Sequence, residues 1–312
     1  MVMPARINIA IVGATSHIAK GLIYHYAQAR NRDLVLFARS VDPVKAFMAA
    51  IALEIKYPIR ALNDLSGGDY DVIINCIGIG QTALMHCAAP TIFRLTETYD
   101  NMMLDYLDKH PGVLYINFSS GAVYGREFQK PAEESSTSLI KVNHLDLSDW
   151  YRIAKINSEA KHRSLAGFNV VDLRVFAYFS RFINLSSQYF MAEIIACVKE
   201  RRILTTGPED MARDFVSPFD LYSAVERCIA QHALNDVYDV FSLKPTSKFE
   251  LLDYFARTYQ LQYVIEKEHT VASVTGSKSN YFSLNRRIGQ IGYVPTQTSL
   301  ESIVEESAHI LV

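Results

Sequence analysis

Apolar runs that alternate with helix-like stretches constrain this chain more than any other feature. Residues 7–12, 34–37, 59–62, 72–77, 113–118 and 170–176 read as strands, and most are apolar without a break. Unbroken apolarity marks parallel strands covered on both faces, whereas a strand with one wet face would alternate. Between these runs, 18–29, 44–54, 90–109 and 149–165 carry helical patterning. Parallel neighbours need a crossover, and the crossover is right-handed. A series of such units winds one sheet with helices on both faces.

After Phe176 the alternation breaks. Residues 180–187 are irregular, 188–199 read as a helix and 202–214 as a loop-rich stretch. A helix at 219–232 and a strand at 237–242 look like a return to the sheet. The tail holds a helix at 248–259, a strand at 263–268, a polar loop at 273–280 and a last helix at 299–310. The expected fold is α/β, a Rossmann-type doubly wound parallel sheet with a smaller, discontinuous C-terminal substrate domain. Residues 1–180 and 214–246 form the larger part of that expectation; 181–213 and 247–312 form the smaller part. A chain of 312 residues is long enough to bury both cores.

The chemistry is concentrated in two segments. Ser119-Ser120-Gly121-Ala122-Val123-Tyr124-Gly125 ends a buried strand, and Tyr151-Arg152-Ile153-Ala154-Lys155 opens a helix about thirty residues later. Residues at i and i+4 share a helical face. A cation beside a phenol lowers a pKa that starts near ~10, so Tyr151 could exchange a proton with an alcohol or ketone. A serine of that strand end, Ser119 or Ser120, could bond the same oxygen. With 18 tyrosines, however, one Tyr-x-x-x-Lys is expected roughly by chance. A second one exists, Tyr263 to Lys267, in a β-branched run where its members would stand apart.

A phosphate loop is expected where the first strand meets the first helix. Gly13-Ala14-Thr15-Ser16-His17-Ile18-Ala19 keeps one glycine of a Gly-x-x-Gly-x-x-Gly pattern and fills the others with Ser16 and Ala19. Both are small, so backbone amides can still approach a pyrophosphate. Ser16 could equally serve as a plain helix cap, and His17 reads as a phosphate-side or surface residue rather than a catalyst. The acid that would hold a ribose 2′-hydroxyl is expected at the far end of the second strand. Asp33 lies at the near end, and Arg39-Ser40 stand at the far one. That arrangement suits a 2′-phosphate, which favours NADP over NAD.

Charge removes several classes of partner. With 31 basic and 33 acidic residues the net charge is −2, so no global field recruits nucleic acid or an anionic membrane. Apolar runs fall short of the ~20 residues of a membrane span. Residues 1–6 are too short for a secretion signal, so a cytoplasmic protein is expected. Cys76, Cys87, Cys197 and Cys228 lack metal-binding spacing and read as buried thiols.

Taken together, these residues resemble the extended short-chain dehydrogenase/reductase family, the NAD(P)-dependent sugar-nucleotide epimerase/dehydratase group. The likeness covers nearly the whole chain. Residues 72–78 are similar to the family's fourth strand and its cofactor-side turn, implying cofactor contacts at Cys76, Ile77 and Gly78. Asp64-Leu65 resembles the pair that meets adenine, and Leu173-Arg174-Val175-Phe176 the strand leading to the nicotinamide end. Arg213-Asp214-Phe215-Val216 with Asp220-Leu221 resembles the segment whose arginine meets a substrate diphosphate. The stretch 288–295 with Ser299-Leu300-Glu301 resembles the family's closing motif. The resemblance implies catalysis by Ser120, Tyr151 and Lys155, with Ser119, Phe176, Thr15 and Ile18 toward the cofactor. It also implies a nucleotide-sugar substrate and a homodimer formed through the Tyr-x-x-x-Lys helix.

Four positions depart from the family pattern. Ala154 stands where a serine often precedes the lysine, and Ala177 where epimerases often carry asparagine. Gly121-Ala122 replaces the Asp-Glu pair that dehydratases place after their catalytic hydroxyl, which disfavours elimination. The leading expectation is reduction or oxidation at a secondary carbon, in the manner of a 4-ketoreductase. An epimerase with retained NAD is the enzymatic alternative, and a silent dinucleotide-binding sensor or scaffold the non-enzymatic one.

Overall fold

The computed structural model describes residues 6–51, 57–78, 89–125, 127–231, 233–267 and 279–311. The first half runs β1 (Asn8–Val12), α1 (His17–Ala29), β2 (Asp33–Ala38), α2 (Asp42–Ala50), β3 (Ile59–Ala61), β4 (Val72–Asn75), α3 (Ala89–Lys109), β5 (Leu114–Ser120), α4 (Leu147–Ser164) and β6 (Asn169–Val175). There follow β7 (Ala177–Tyr178), α5 (Phe190–Glu200), β8 (Leu204–Thr206), β9 (Ala212–Arg213), β10 (Phe215–Val216), α6 (Pro218–Gln231) and β11 (Asn235–Val240). The tail adds β12 (Thr246–Ser247), α7 (Lys248–Tyr259), β13 (Tyr263–Ile265), β14 (Asn280–Tyr281) and α8 (Ser299–Leu311).

Seven parallel strands form the main sheet in the order β11-β6-β5-β4-β1-β2-β3. Unbroken apolar runs are explained by burial on both faces. Ile9, Ile11, Leu34, Leu36, Ile74 and Ile116 join one core against α1 and α6. Their neighbours Ala10, Val12, Val35, Phe37, Ile73 and Tyr115 join another against α3. A third core gathers Phe179, just after β7, with Ile194, Ile195, Leu251, Phe255 and Ile303 from α5, α7 and α8. Chain order reverses between β1 and β4, the place where open α/β sheets hold ligands beyond their strand ends.

The expected element boundaries shift by a few residues. The strand expected at 72–77 stops at Asn75, and the one at 263–268 stops at Ile265. The loop-rich stretch 202–214 contains β8 and β9, which pair with β13 and with β12 and β14. Two- and three-residue strands whose partners lie far away in sequence leave no periodicity to read. Most of the polar loop at 273–280 and Cys87 lie outside the described residues, while Cys76, Cys197 and Cys228 are buried free thiols. No helix among the described residues is long and apolar enough to cross a membrane.

Candidate active site

Helix α4 runs back along β5, and one of its faces meets the sheet turn by turn. Tyr151 reaches Ser120 at the strand end through a side-chain hydrogen bond. One turn on, the Lys155 ammonium donates to the Phe118 carbonyl at 2.8 Å. Glu159 accepts from Ser119 at 2.5 Å and from Arg174 at 2.6 Å. Last on this face, His162 stands between Asp172 and Asp100, at 2.9 and 2.8 Å. Residues 151, 155, 159 and 162 share the stripe that a 3.6-residue period dictates. Tyr263 and Lys267 have no such support, since Tyr263 lies in β13 beside β8.

Burial holds the Tyr151 phenol above its ordinary range, and the bond from Ser120 works the other way. Lys155, 7 % exposed, is pushed below its ordinary range by burial, against the pull of Asp172, Asp100 and Glu159. The direction for Tyr151 is thus opposite to the one the lysine spacing suggests, because desolvation outweighs the Ser120 hydrogen bond. Ala154, the departure beside Lys155, is buried against Ile92 of α3, where a hydroxyl would have apolar company.

Gly121 is fixed by volume. A Cβ there would come within 2.4 Å of the Phe176 ring. No carboxylate can follow Ser120 while that ring stays in place, so the acid position of the dehydratase pattern is sterically closed. Phe176 itself is buried with Tyr124, Phe128, Ala132 and Tyr281. Tyr124 of the Val-Tyr-Gly turn donates to Asp239 at 2.8 Å and accepts from Arg174 at the same distance, which ties the turn to β6 and β11.

The loop after β1 fits a dinucleotide phosphate. Gly13 has φ +81°, and a Cβ on it would lie 2.8 Å from Ile77 Cγ1 and 2.9 Å from the Ile77 amide nitrogen. Only glycine satisfies both the left-handed backbone and that contact with the turn after β4. Ser16 caps α1 by accepting from the Ala19 amide at 3.2 Å, which leaves its own hydrogen for a ligand. First-turn amides at His17 and Ile18 have no helical carbonyl to pair with, and the first turn carries no acid.

Within α1, Gly21 leaves room for the Tyr178 side chain. A Cβ there would strike the Tyr178 hydroxyl at 2.0 Å. His17 lies 2.7 Å from Ser180 and edge-on to Tyr178, and burial lowers its pKa to about 4, so it is neutral. Thr15, Arg39, Ser40, Asp64 and Gly78 are exposed around the cleft end of the sheet, whereas Leu65 and Cys76 are buried in the core.

One residue from β9 and one from β14 join the candidate site, and only the first belongs to a sequence motif. Arg213 in β9 is the register partner of Tyr281 in β14, with its guanidinium 5.7 Å from the Tyr281 ring. Burial lowers the Arg213 pKa to about 10. Tyr281 places its hydroxyl 3.2 Å from Ser120 Oγ. A lone tyrosine beside residues 268–278 carries no spacing signal, which is why it went unnoticed.

The model of the NAD dependent epimerase/dehydratase family matches residues 9–243. No curated protein matches the chain in sequence. Among solved structures, a UDP-N-acetylglucosamine 4-epimerase from Methanobrevibacter ruminantium, in complex with UDP-N-acetylmuramic acid, superposes with a TM-score of 0.79. It is 16 % identical and covers 98 % of both chains. A UDP-glucose-4-epimerase from Stenotrophomonas maltophila with bound NAD gives 0.80 at 13 % identity, over 98 % of this chain and 97 % of that one. A dTDP-glucose 4,6-dehydratase from Bacillus anthracis in complex with NAD gives 0.76 at 14 % identity, over 97 % and 96 %.

Proposed function

This chain belongs to the NAD dependent epimerase/dehydratase family, and from that premise we propose that it reduces or oxidises a secondary carbon of a nucleotide sugar. It is a nicotinamide-dependent enzyme of the extended short-chain dehydrogenase type. The observation that carries the proposal is the Ser120–Tyr151 bond at the end of β5, with Lys155 one turn away. Hydride exchange is the chemistry that a bound nicotinamide dinucleotide supplies. The chain's own work is to hold and move a proton: Ser120 polarises the reacting oxygen, and Tyr151 gives or takes its hydrogen. Lys155 supports the ribose and the phenol, and Arg213 anchors the diphosphate of the sugar nucleotide.

Elimination is disfavoured, because the Phe176 ring occupies the space an acid after Ser120 would need. Direct reduction, as in a 4-ketoreductase using NADPH, is our leading reading. Its support is the exposed Arg39-Ser40 end of β2, with Asp33 at the opposite end and paired to Arg6 at 3.3 Å. Epimerisation with retained NAD is the second reading, favoured by the family match. The substrate would sit between residues 1–180 with 214–246 and residues 181–213 with 247–312, in a homodimer formed through α4.

Calorimetry with NADPH and NADH separates the two readings. Reduction predicts tighter NADPH binding that weakens ~10-fold in Arg39→Ala; preference for NADH with Arg39→Ala neutral overturns the NADP assignment. Tyr151→Phe should lower turnover of a UDP-4-keto sugar about 10²–10⁴-fold. Full turnover in that variant removes the mechanism.

A further inference from the structure

Ser120 is held by more than its own strand. Its Oγ accepts from the Ala122 amide at 3.2 Å, lies 3.2 Å from the Tyr281 hydroxyl and bonds Tyr151. A hydroxyl offers one hydrogen and two lone pairs. The Ala122 amide, which Ser120 shares with the Tyr281 hydroxyl, takes one lone pair, and the two phenols divide what remains. A serine that polarises a reacting oxygen, or steadies a phenolate, must send its hydrogen toward Tyr151 and the substrate. The last lone pair is then filled by Tyr281.

We propose that Tyr281 is a positioning residue whose phenol donates to Ser120 Oγ and turns the serine hydrogen toward Tyr151 and the reacting oxygen. The proposal rests on the roles given to Ser120 and Tyr151 above. Tyr281 is built for a fixed job. Its ring lies edge-on to Phe128 at 4.8 Å and 5.1 Å from Phe176, and its backbone is in register with Arg213. Burial raises its pKa, so the phenol keeps its hydrogen at working pH. The groups that face it are the Ser120 hydroxyl, the Ala122 amide, the Tyr151 phenol and the Arg213 guanidinium. Lys155 is turned to Phe118. A donor behind a donor polarises the chain, so Tyr281 also strengthens the bond that Ser120 gives.

The test is a phenolate absorbance titration of NAD-saturated protein, read against Tyr151→Phe to isolate the Tyr151 transition. Tyr281→Phe should move that transition up by about one pH unit. It should also lower kcat ~10-fold with KM within ~2-fold. Ser120→Ala should move the transition in the same sense, and the double variant no further. A transition unmoved in Tyr281→Phe, or additive shifts in the double variant, overturns the proposal while leaving the reading of Tyr151 intact. Absence of any Tyr151 transition in the wild type defeats that reading instead, and this proposal with it. Should Tyr281→Phe not fold, Tyr281→His keeps a donor there. A transition near the wild-type position then supports the relay, and one displaced as in Ser120→Ala overturns it.

Discussion

Gly121 and Gly13 each decide what can stand beside them. A methyl group at Gly121 would enter the Phe176 ring, so Gly121→Ala must push either the ring or the end of β5. Overpacking of this kind costs about 1–3 kcal/mol. The Ser120 hydroxyl moves with the strand, so turnover of the nucleotide sugar should fall with stability. Urea unfolding and steady-state kinetics on the same preparation check both, and an unchanged midpoint would show that Phe176 yields freely. The same local view separates the two Tyr-x-x-x-Lys spacings. Tyr151 and Lys155 have Ser120 and Phe118 opposite them, and Tyr263 has a strand neighbour, Leu204. Spacing alone could not tell them apart, because the difference lies in what each side chain meets.

Helix α4 carries both the residues of the proposed chemistry and their support on one face. The lower end of that face is a buried ion cluster in which His162 lies between Asp100 and Asp172, with Lys161 2.5 Å from Asp100. Burial opposes the imidazolium, yet hydrogen bonds to the two carboxylates outweigh it and raise the pKa to about 9 from an ordinary 6.5. Because the folded value exceeds the unfolded one, the stabilisation is complete below about pH 6.5 and is lost as pH rises through about 9. Urea midpoints should therefore decline between about pH 7 and about pH 10. His162→Gln should flatten that decline and destabilise the fold at neutral pH by less than the ~3–5 kcal/mol of an uncompensated buried charge, since Lys161 still faces Asp100 and Arg163 still faces Asp172. A variant that kept the wild-type slope would assign the pH dependence to other groups.

Across the whole molecule, distant motifs are joined by a few buried polar contacts. Asp220 at the start of α6 accepts from the Thr296 amide at 2.9 Å, the Thr296 hydroxyl at 2.8 Å and the Gln297 amide at 3.3 Å. Ser299 accepts from the Phe215 amide at 2.8 Å, and Tyr293 donates to the Phe241 carbonyl at 2.7 Å. These bonds give a physical reason for the Asp220-Leu221 and 288–301 motifs to occur together. Asp220→Ala should cost about 1–3 kcal/mol and expose the 292–298 segment to proteolysis, while NAD still raises the melting temperature. Loss of the NAD effect would mean that the contact also shapes the cofactor cleft. Much of this molecule was legible from residue order. Two-faced burial writes unbroken apolar runs, helices write a 3.6-residue period, and both are local, so the doubly wound parallel sheet could be expected, while the choice of Ser120 as the partner of Tyr151 came from the family resemblance. Tertiary structure alone decided the rest. It set the Tyr178 side chain against Gly21, filled the space beside Ser120 with Phe176, and brought Tyr281 to Ser120 across 161 residues of chain. A contact made by folding between two- and three-residue strands has no period, and so the sequence carries no trace of it until the chain is packed.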